Sequence, residues 1–395
     1  MTTVHLKKGR ERALENRHPW IFGGAIARVE GQAQPGDLVR IVDSAGRRLA
    51  VGYYNPHSQI AVRILTWDPD ETPDEAFWRG RLDAAIARRA SLPGLDDTTA
   101  YRLVHAESDG LPGLIVDRYS DWLVFQSLTA GIEQRKELLA HLLMELLAPQ
   151  GIYERSDADV RPREGLTDAV GPLAGEMPPP QVAITEHGRR FLVDVLHGHK
   201  TGFYLDQREN RHSVARYCAG AEVLNAFGYT GAFGVYAGTA GAQRITNLDS
   251  SAEALAAAKE HMALNGIAPE RVETVTGDAF RVLRTMRDQV RRFDVIILDP
   301  PKFAFSRAQV PSASRGYKDI NLQALHLVRP GGILATFSCS GSVDESLFQK
   351  ILFGASLDAG REVRILERLG QSADHPVSLF FPEGTYLKGF VCQVE

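Results

Sequence analysis

Val223-Leu-Asn-Ala-Phe-Gly228-Tyr-Thr-Gly231-Ala-Phe-Gly234 is an apolar run that breaks into closely spaced glycines. The pattern predicts a buried strand, a tight turn whose backbone can lie against a ligand, and a helix opening on that turn. Outward from it the rhythm repeats. Ala221–Ala226, Arg244–Asp249, Val272–Thr276, Asp294–Leu298 and Gly332–Ser338 are β-rich runs with helical spacers between them. Alternating strands and helices call for an α/β fold with a doubly wound parallel sheet, in which ligands sit at the carboxyl ends of the strands.

Chemistry-bearing residues fall at those ends. Asn247-Leu-Asp249-Ser250 offers a carboxylate suited to ribose hydroxyls, and Thr276-Gly-Asp278-Ala279 offers one suited to an adenine edge. Either acid alone is as well explained as a helix N-cap; their order after consecutive strands is what points to a pocket. Asp299-Pro300-Pro301-Lys302-Phe303 then delivers a carboxylate onto a rigid double-proline turn. Phe337-Ser-Cys339-Ser-Gly341 places a thiol at the end of the next apolar strand. The absence of G-x-G-x-x-G argues against a nicotinamide oxidoreductase.

The chain has 395 residues, more than one hydrophobic core usually serves, so two or three domains are expected. Apolar residues make up 44% and charged residues 24%, an ordinary globular balance that excludes a disordered or fibrous chain. No run approaches the roughly eighteen apolar residues of a membrane span, and the start lacks a secretion signal, so a cytoplasmic protein without membrane contact is expected. Three scattered cysteines, Cys218, Cys339 and Cys392, give no zinc or disulfide pattern. The net charge of −4 shows no global pull toward nucleic acid, but residues 1–48 carry nine Lys/Arg against five acids.

Short alternating runs from Val4 to Leu65 predict a small β-barrel, and Pro73 to about Arg89 predicts an amphipathic helix. Strands at Leu103–Glu107 and Leu114–Leu128 (broken at Asp121), a helix over Ile132–Leu147 and a strand at Ile152–Arg155 predict a small α+β module. Its acids Glu107, Asp109 and Asp117 read as surface residues or turn caps, the caps preferred. The proline-rich stretch Leu166–Pro180 predicts a loop and a domain boundary. The expected domains are residues 1–70, 71–180 and 181–395.

The ordered strand-end motifs resemble class I S-adenosylmethionine-dependent methyltransferases. Over nearly the whole chain the sequence is similar to the bacterial large-subunit ribosomal RNA cytosine-C5 methyltransferases, which carry an N-terminal PUA domain. The resemblance rests on His18-Pro19-Trp20-Ile-Phe22, Gly52-Tyr-Tyr-Asn55-Pro56-His-Ser58-Gln-Ile60, Lys200-Thr-Gly202-Phe-Tyr-Leu-Asp206-Gln-Arg208-Glu-Asn210-Arg211, Asp299-Pro-Pro-Lys302-Phe303, Gly316-Tyr-Lys-Asp319-Ile-Asn321, Phe337-Ser-Cys339-Ser-Gly341 and Asp374-His375-Pro376. It implies S-adenosyl-L-methionine as cofactor and 23S ribosomal RNA as partner; a homodimer is admitted.

It further implies that Phe203, Asp206, Arg208, Asn225, Phe227, Gly228, Thr230 and Gly231 hold the cofactor, together with Asp249, Ser250, Asp278, Ala279 and Asp299. No metal is implied. Cys339 would be the nucleophile and Asp299 its catalytic partner. Many RNA cytosine-C5 enzymes have a second cysteine in the turn that here reads Asp299-Pro300-Pro301, and this chain has none. Two alternatives stand beside this reading: methylation of an exocyclic amine on RNA through Asp299-Pro-Pro-Lys-Phe303, and an RNA-binding assembly factor with an inactive fold.

Overall fold

All five strands expected in the second half form, at or near their expected bounds, in one seven-stranded sheet of the computed structural model, which describes residues 2–395. They are β1 (Glu222–Ala226), β2 (Arg244–Asp249), β3 (Val272–Thr276), β4 (Phe293–Leu298) and β5 (Val328–Ser338). Two more strands, β6 (Val363–Gly370) and β7 (Lys388–Val394), complete the order β3-β2-β1-β4-β5-β7-β6. Strands β1 to β5 pair in parallel, whereas β7 runs antiparallel to both of its neighbours. Its register sets Lys388 opposite Ser338.

The helices are α1 (Arg208–Ala215), α2 (Ala232–Thr239), α3 (Ala252–Leu264), α4 (Ala279–Asp288), α5 (Val310–Leu327) and α6 (Glu345–Ala359). Contacts link α1 to α2 and α2 to α3, and separately α4 to α5 and α5 to α6, so the helices form two layers on the doubly wound sheet. Local chemistry starts several of them: Ser251 Oγ accepts from Ala254 N–H at 3.0 Å and Asp344 Oδ1 from Leu347 N–H at 2.7 Å. Leu224, Leu248, Ile296 and Leu334 share one core with Tyr317 and Phe348.

This sheet belongs to a compact unit of Gly188–Leu192, Asp206–Ser372 and Thr385–Glu395. A second compact unit takes the residues up to His187 with Val193–Leu205 and Ala373–Gly384. Within it a six-stranded sheet has the spatial order Trp20–Ile21, Val62–Thr66, Arg48–Tyr54, Leu38–Val42, Thr2–Leu6, Ile26–Glu30. The order does not close, so the expected barrel is a half-barrel, with Val4, Val39, Ile41 and Ile64 in its core.

The α+β module is a five-stranded sheet with the helices Glu75–Ala90 and Lys136–Leu147. Asp74 caps the first helix, accepting from Phe77 N–H at 3.0 Å. Trp78, Leu82, Leu139 and Leu143 bury themselves against Val116 and Phe125.

Two expectations are corrected here. Leu166–Pro180 is not all loop: Ala169–Gly175 is a strand pairing antiparallel with Gly151–Ser156. It lies at the sheet edge, and its register slips between Ile152 and Tyr153, next to the pairing with Pro172; edges and irregularities are where a residue without an N–H is tolerated. Nor are the three acids simple turn caps. Asp109 accepts from Arg89 Nη1 at 2.7 Å and Arg88 Nη2 at 2.8 Å besides capping His105 N–H at 2.6 Å. Asp117 takes both prongs of Arg102, at 2.8 and 2.9 Å, and Glu107 accepts from Trp20 Nε1 at 2.8 Å. A buried carboxylate needs such partners to offset its lost hydration.

Candidate active site

The loop after β1 holds two non-glycine residues in left-handed backbone, Phe227 at φ 59° and Tyr229 at φ 46°. Such residues are strained and persist where surrounding structure fixes them. Here Tyr229 N–H donates to Asp249 Oδ2 at 2.8 Å, and Gly228 N–H to Leu248 O at 2.9 Å, which ties the β1 loop to the end of β2. The other Asp249 oxygen accepts from Ser251 N–H at 2.9 Å. One carboxylate thus braces two adjacent turns and keeps a lone pair on each oxygen for a ligand.

Gly231 must be glycine for two reasons. Its φ is +78°, and a Cβ there would lie 2.7 Å from Ala258 Cβ on α3. Asn225, buried on β1, donates from Nδ2 to Asn247 Oδ1 at 2.9 Å. Asn225 Oδ1 and Thr230 Oγ1 are buried with no hydrogen-bond partner among the described residues. A buried polar atom without a partner costs free energy that a bound ligand can recover. Ser250 is exposed beside Asp249. Gly277 N–H reaches Asp249 O at 2.9 Å and draws in the end of β3, where Asp278 is exposed, caps α4 through Arg281 N–H at 3.0 Å, and precedes the buried Ala279.

At the end of β4, Asp299 Oδ1 accepts from Gln207 Nε2 at 2.9 Å. The carboxyl keeps some exposed surface but is crowded by protein atoms. That crowding, reinforced by the nearby Asp206 carboxylate, raises its pKa to about 7; Gln207 and Arg211 oppose the rise. Asp206 is held separately: its Oδ2 accepts from Tyr386 Oη at 2.7 Å and its carbonyl from Ser372 Oγ at 2.9 Å. Arg208, in the first turn of α1, is buried and donates to Glu209 at 3.0 Å. Phe203 lies in the other compact unit, where its N–H donates to Tyr119 Oη at 3.2 Å.

Cys339 follows β5 directly and is partly exposed, unlike the buried thiols Cys218 and Cys392. Ser340 fixes the loop it sits in. The Ser340 hydroxyl accepts from Ala304 N–H at 3.1 Å and lies 3.0 Å from Tyr317 Oη, so the Asp299-Pro-Pro-Lys-Phe303 turn and the Cys339 loop are laced together. Lys388 Nζ donates to the carbonyls of Ser340 and Tyr386, both at 2.7 Å. Burial lowers the Lys388 pKa to about 8, with attraction to a Cys339 thiolate and to Asp344 opposing the fall and Lys302 adding to it.

The structure therefore gathers Asn225, Phe227, Gly228, Thr230, Gly231, Asp249, Asp278 and Asp299 along one sheet edge with Cys339. Gln207, Tyr317, Ser340, Tyr386 and Lys388 complete the site. Reading the sequence assigned no role to Gln207 or Tyr317 although both stand in quoted motifs. No cluster of metal ligands occurs among the described residues, and no helix there is long and apolar enough to cross a membrane.

The pattern of the S-adenosylmethionine-dependent methyltransferases matches residues 157–377, more than half the chain. This chain is a member of the S-adenosylmethionine-dependent methyltransferase family. The PUA-like domain pattern matches residues 4–67, the half-barrel. The chain is 49% identical over 389 residues to Ribosomal RNA large subunit methyltransferase I of Klebsiella pneumoniae strain 342, covering 98% of this chain and 97% of that protein. The Escherichia coli O127:H6 protein of the same name is also 49% identical, with 98% of each chain covered. Among solved structures, SMU.776 in complex with SAH superimposes with a TM-score of 0.87 over 100% of both chains; at 22% identity the likeness concerns the fold.

The residues present fit S-adenosylmethionine. A Cβ on Gly228 would meet Asn225 Nδ2 at 2.9 Å, so the loop leaves its backbone bare at the place where the methyltransferase fold carries its cofactor. The unpartnered atoms of Asn225 and Thr230 and the spare lone pairs of Asp249 are polar groups that an amino acid and a ribose can satisfy.

Proposed function

We propose that this methyltransferase forms 5-methylcytosine in large-subunit (23S) ribosomal RNA in the cytoplasm, through a covalent bond between Cys339 and cytosine C6. The observation that carries the reading is Cys339 itself, a partly exposed thiol at the end of β5 whose loop is tied through Ser340 to the turn bearing Asp299. The names of the 49%-identical relatives support the RNA and the subunit.

Cytosine C5 is a weak nucleophile, and adding a thiolate to C6 makes C5 enamine-like. An ordinary thiol, with a pKa of about 8.5, is only a few per cent ionised near neutrality. The Lys388 ammonium, pinned on the carbonyl of the residue after Cys339, attracts the thiolate. Asp299, with its pKa near 7, is partly protonated at working pH. A protonated carboxyl donates to cytosine N3 while its carbonyl accepts from the N4 amine, which draws electron density from C6 as sulfur attacks.

S-adenosylmethionine supplies the electrophilic methyl when bound. We assign its amino acid end to Asp206 and Arg208, its bare-backbone contact to Phe227–Gly231 with Asn225, its ribose to Asp249 and Ser250, and its adenine to Asp278 and Ala279. Asp299 would serve both the cofactor and the base. Transfer of the methyl to C5 would leave S-adenosylhomocysteine; the C5 proton then passes to water, and elimination of the Cys339 thiolate from C6 restores the ring. Residues 1–70 act as an RNA-binding domain, 71–180 as an α+β domain with linker, and 181–395 as the catalytic domain. The target base must be unstacked to reach the sheet edge, so opened or single-stranded RNA is the substrate.

Cys339→Ala is expected to abolish methylation of ribosomal RNA while leaving the calorimetric affinity for S-adenosylmethionine within a few fold. Near-normal turnover by the variant refutes nucleophilic catalysis and favours methylation of an exocyclic amine.

A further inference from the structure

The unit that holds the half-barrel also presents an aromatic surface that the methylation chemistry does not use. Phe22 and Phe380 are each 51% exposed, and Leu379, beside Phe380, is 95% exposed. Water-facing apolar side chains in one patch mark an interaction site. Trp20, half-buried, lies between two of these segments: its ring is 6.3 Å from that of Phe22 and 4.7 Å from that of the buried Phe381, the residue next to Phe380, edge on in both cases.

The segment carrying Phe380 and Phe381 is held firmly. Glu383 accepts from His18 Nε2 at 3.2 Å, Ser378 N–H donates to Ser108 Oγ at 3.3 Å, and Phe381 N–H to Ser378 O at 2.9 Å. Trp20 is held in turn by Glu107 at 2.8 Å. The exposed rings stand on a braced base and lose little entropy on binding.

Positive charge borders the same surface. The Arg17 guanidinium lies 5.9 Å from the centre of the Phe380 ring, and Arg17 itself adopts a left-handed backbone at φ 58°. The short helix Arg12–Glu15 touches the strand that carries Trp20. Lys8, Arg10, Arg12 and Arg17 are all exposed and make no ion pair among the described residues. Aromatic faces beside unneutralised cations match one chemistry, a nucleobase on the ring and its phosphate on the guanidinium.

We propose that Phe22, Trp20 and Phe380, with Arg17 at their edge, form a stacking platform for an unpaired nucleotide of the RNA substrate. A duplex cannot use it, because its bases are already stacked. The proposal rests on the RNA reading above but names a surface outside the catalytic residues.

The test is fluorescence anisotropy of the full chain with a labelled single-stranded RNA of about 12 nucleotides, long enough for a typical single-strand site, against a duplex of the same sequence. Phe380→Leu is expected to weaken single-strand binding about 5- to 100-fold, the loss for a stacked base. Phe380→Trp restores it, and the salt dependence stays unchanged in both. Arg17→Ala weakens binding a few fold and reduces the slope of log affinity against log salt by about 0.7.

In methylation assays the Phe380→Leu variant raises KM for RNA and leaves kcat within about twofold. Equal binding by wild type and Phe380→Leu overturns the platform, as does equal binding by Leu and Trp variants, which would mark an apolar contact with a protein. If the wild-type chain binds RNA through the platform but methylates none, the functional reading fails and the platform stands.

Discussion

Replacing Asp299 by asparagine is expected to stabilise the chain while it abolishes turnover. The folded carboxyl has a pKa of about 7 against an ordinary 3.8, so the unfolded chain gives up this proton more readily than the folded one. The sign follows by linkage. Below about pH 4 both states are protonated and the group costs nothing; between there and pH 7 the cost of folding an acid that prefers to be neutral grows, and above pH 7 it is constant. At about 1.36 kcal/mol per pH unit this reaches about 4 kcal/mol at pH 8 and less than about 2 kcal/mol at pH 5. Because part of the carboxyl meets solvent, about half of each value is expected in practice.

Asparagine keeps the acceptor for Gln207 Nε2 and removes the ionisable group. Urea denaturation followed by far-ultraviolet circular dichroism, which reports the sheet and helices around Asp299, run at pH 5 and pH 8 on both proteins, reads the difference. Asp299→Asn should gain about 2 kcal/mol at pH 8 and about 1 kcal/mol or less at pH 5. A variant that is destabilised at both values, or whose gain does not grow with pH, refutes the claim that burial and Asp206 hold this carboxyl near neutrality.

Gly231→Ala should cost about 1–3 kcal/mol of stability, because the new Cβ meets Ala258 Cβ at 2.7 Å on a backbone at φ +78°. It should also weaken S-adenosylmethionine binding in calorimetry, and an unchanged Kd contradicts the loop's role as the cofactor cradle. Glu164→Ala should cost about 3–5 kcal/mol in chemical denaturation, since it strips a buried acceptor from Arg63 Nη2 at 2.9 Å and Asn55 Nδ2 at 2.9 Å. A loss under about 1 kcal/mol would mean that Arg63 is satisfied by Glu107, 3.8 Å away.

Central strands were the most legible part of the sequence. Val295-Ile-Ile-Leu298 is a continuous apolar run, and Leu334-Ala-Thr-Phe337 is interrupted by the buried Thr336 alone, because both faces of a parallel sheet are covered. β6 escaped notice because it alternates between half-buried and exposed residues, with Arg364, Glu367 and Arg368 along it. No expectation fell on β7 although it is almost wholly buried; it follows the Pro382–Gly384 turn and opens on a lysine. The edge strand Ala169–Gly175 was hidden by Pro172, which only edge geometry permits.

The site divides the same way. Asp249, Asp299 and Cys339 were legible because each ends an apolar run. The brace from Tyr229 N–H to Asp249, the lacing through Ser340, and the ion pairs of Asp109 and Asp117 join residues that only the fold brings together. The hydrogen bond from Tyr386 to Asp206 spans 180 positions, far beyond any local signal.

The most direct test of covalent catalysis uses ribosomal RNA transcribed with 5-fluorocytidine, whose fluorine cannot leave as the C5 proton does. Incubated with this RNA and S-adenosylmethionine, the wild-type chain should form a denaturation-resistant complex whose cross-linked peptide contains Cys339, and Cys339→Ala should form none. An equally stable complex in the variant, or none with wild type while ordinary RNA is methylated on an exocyclic nitrogen, would contradict it.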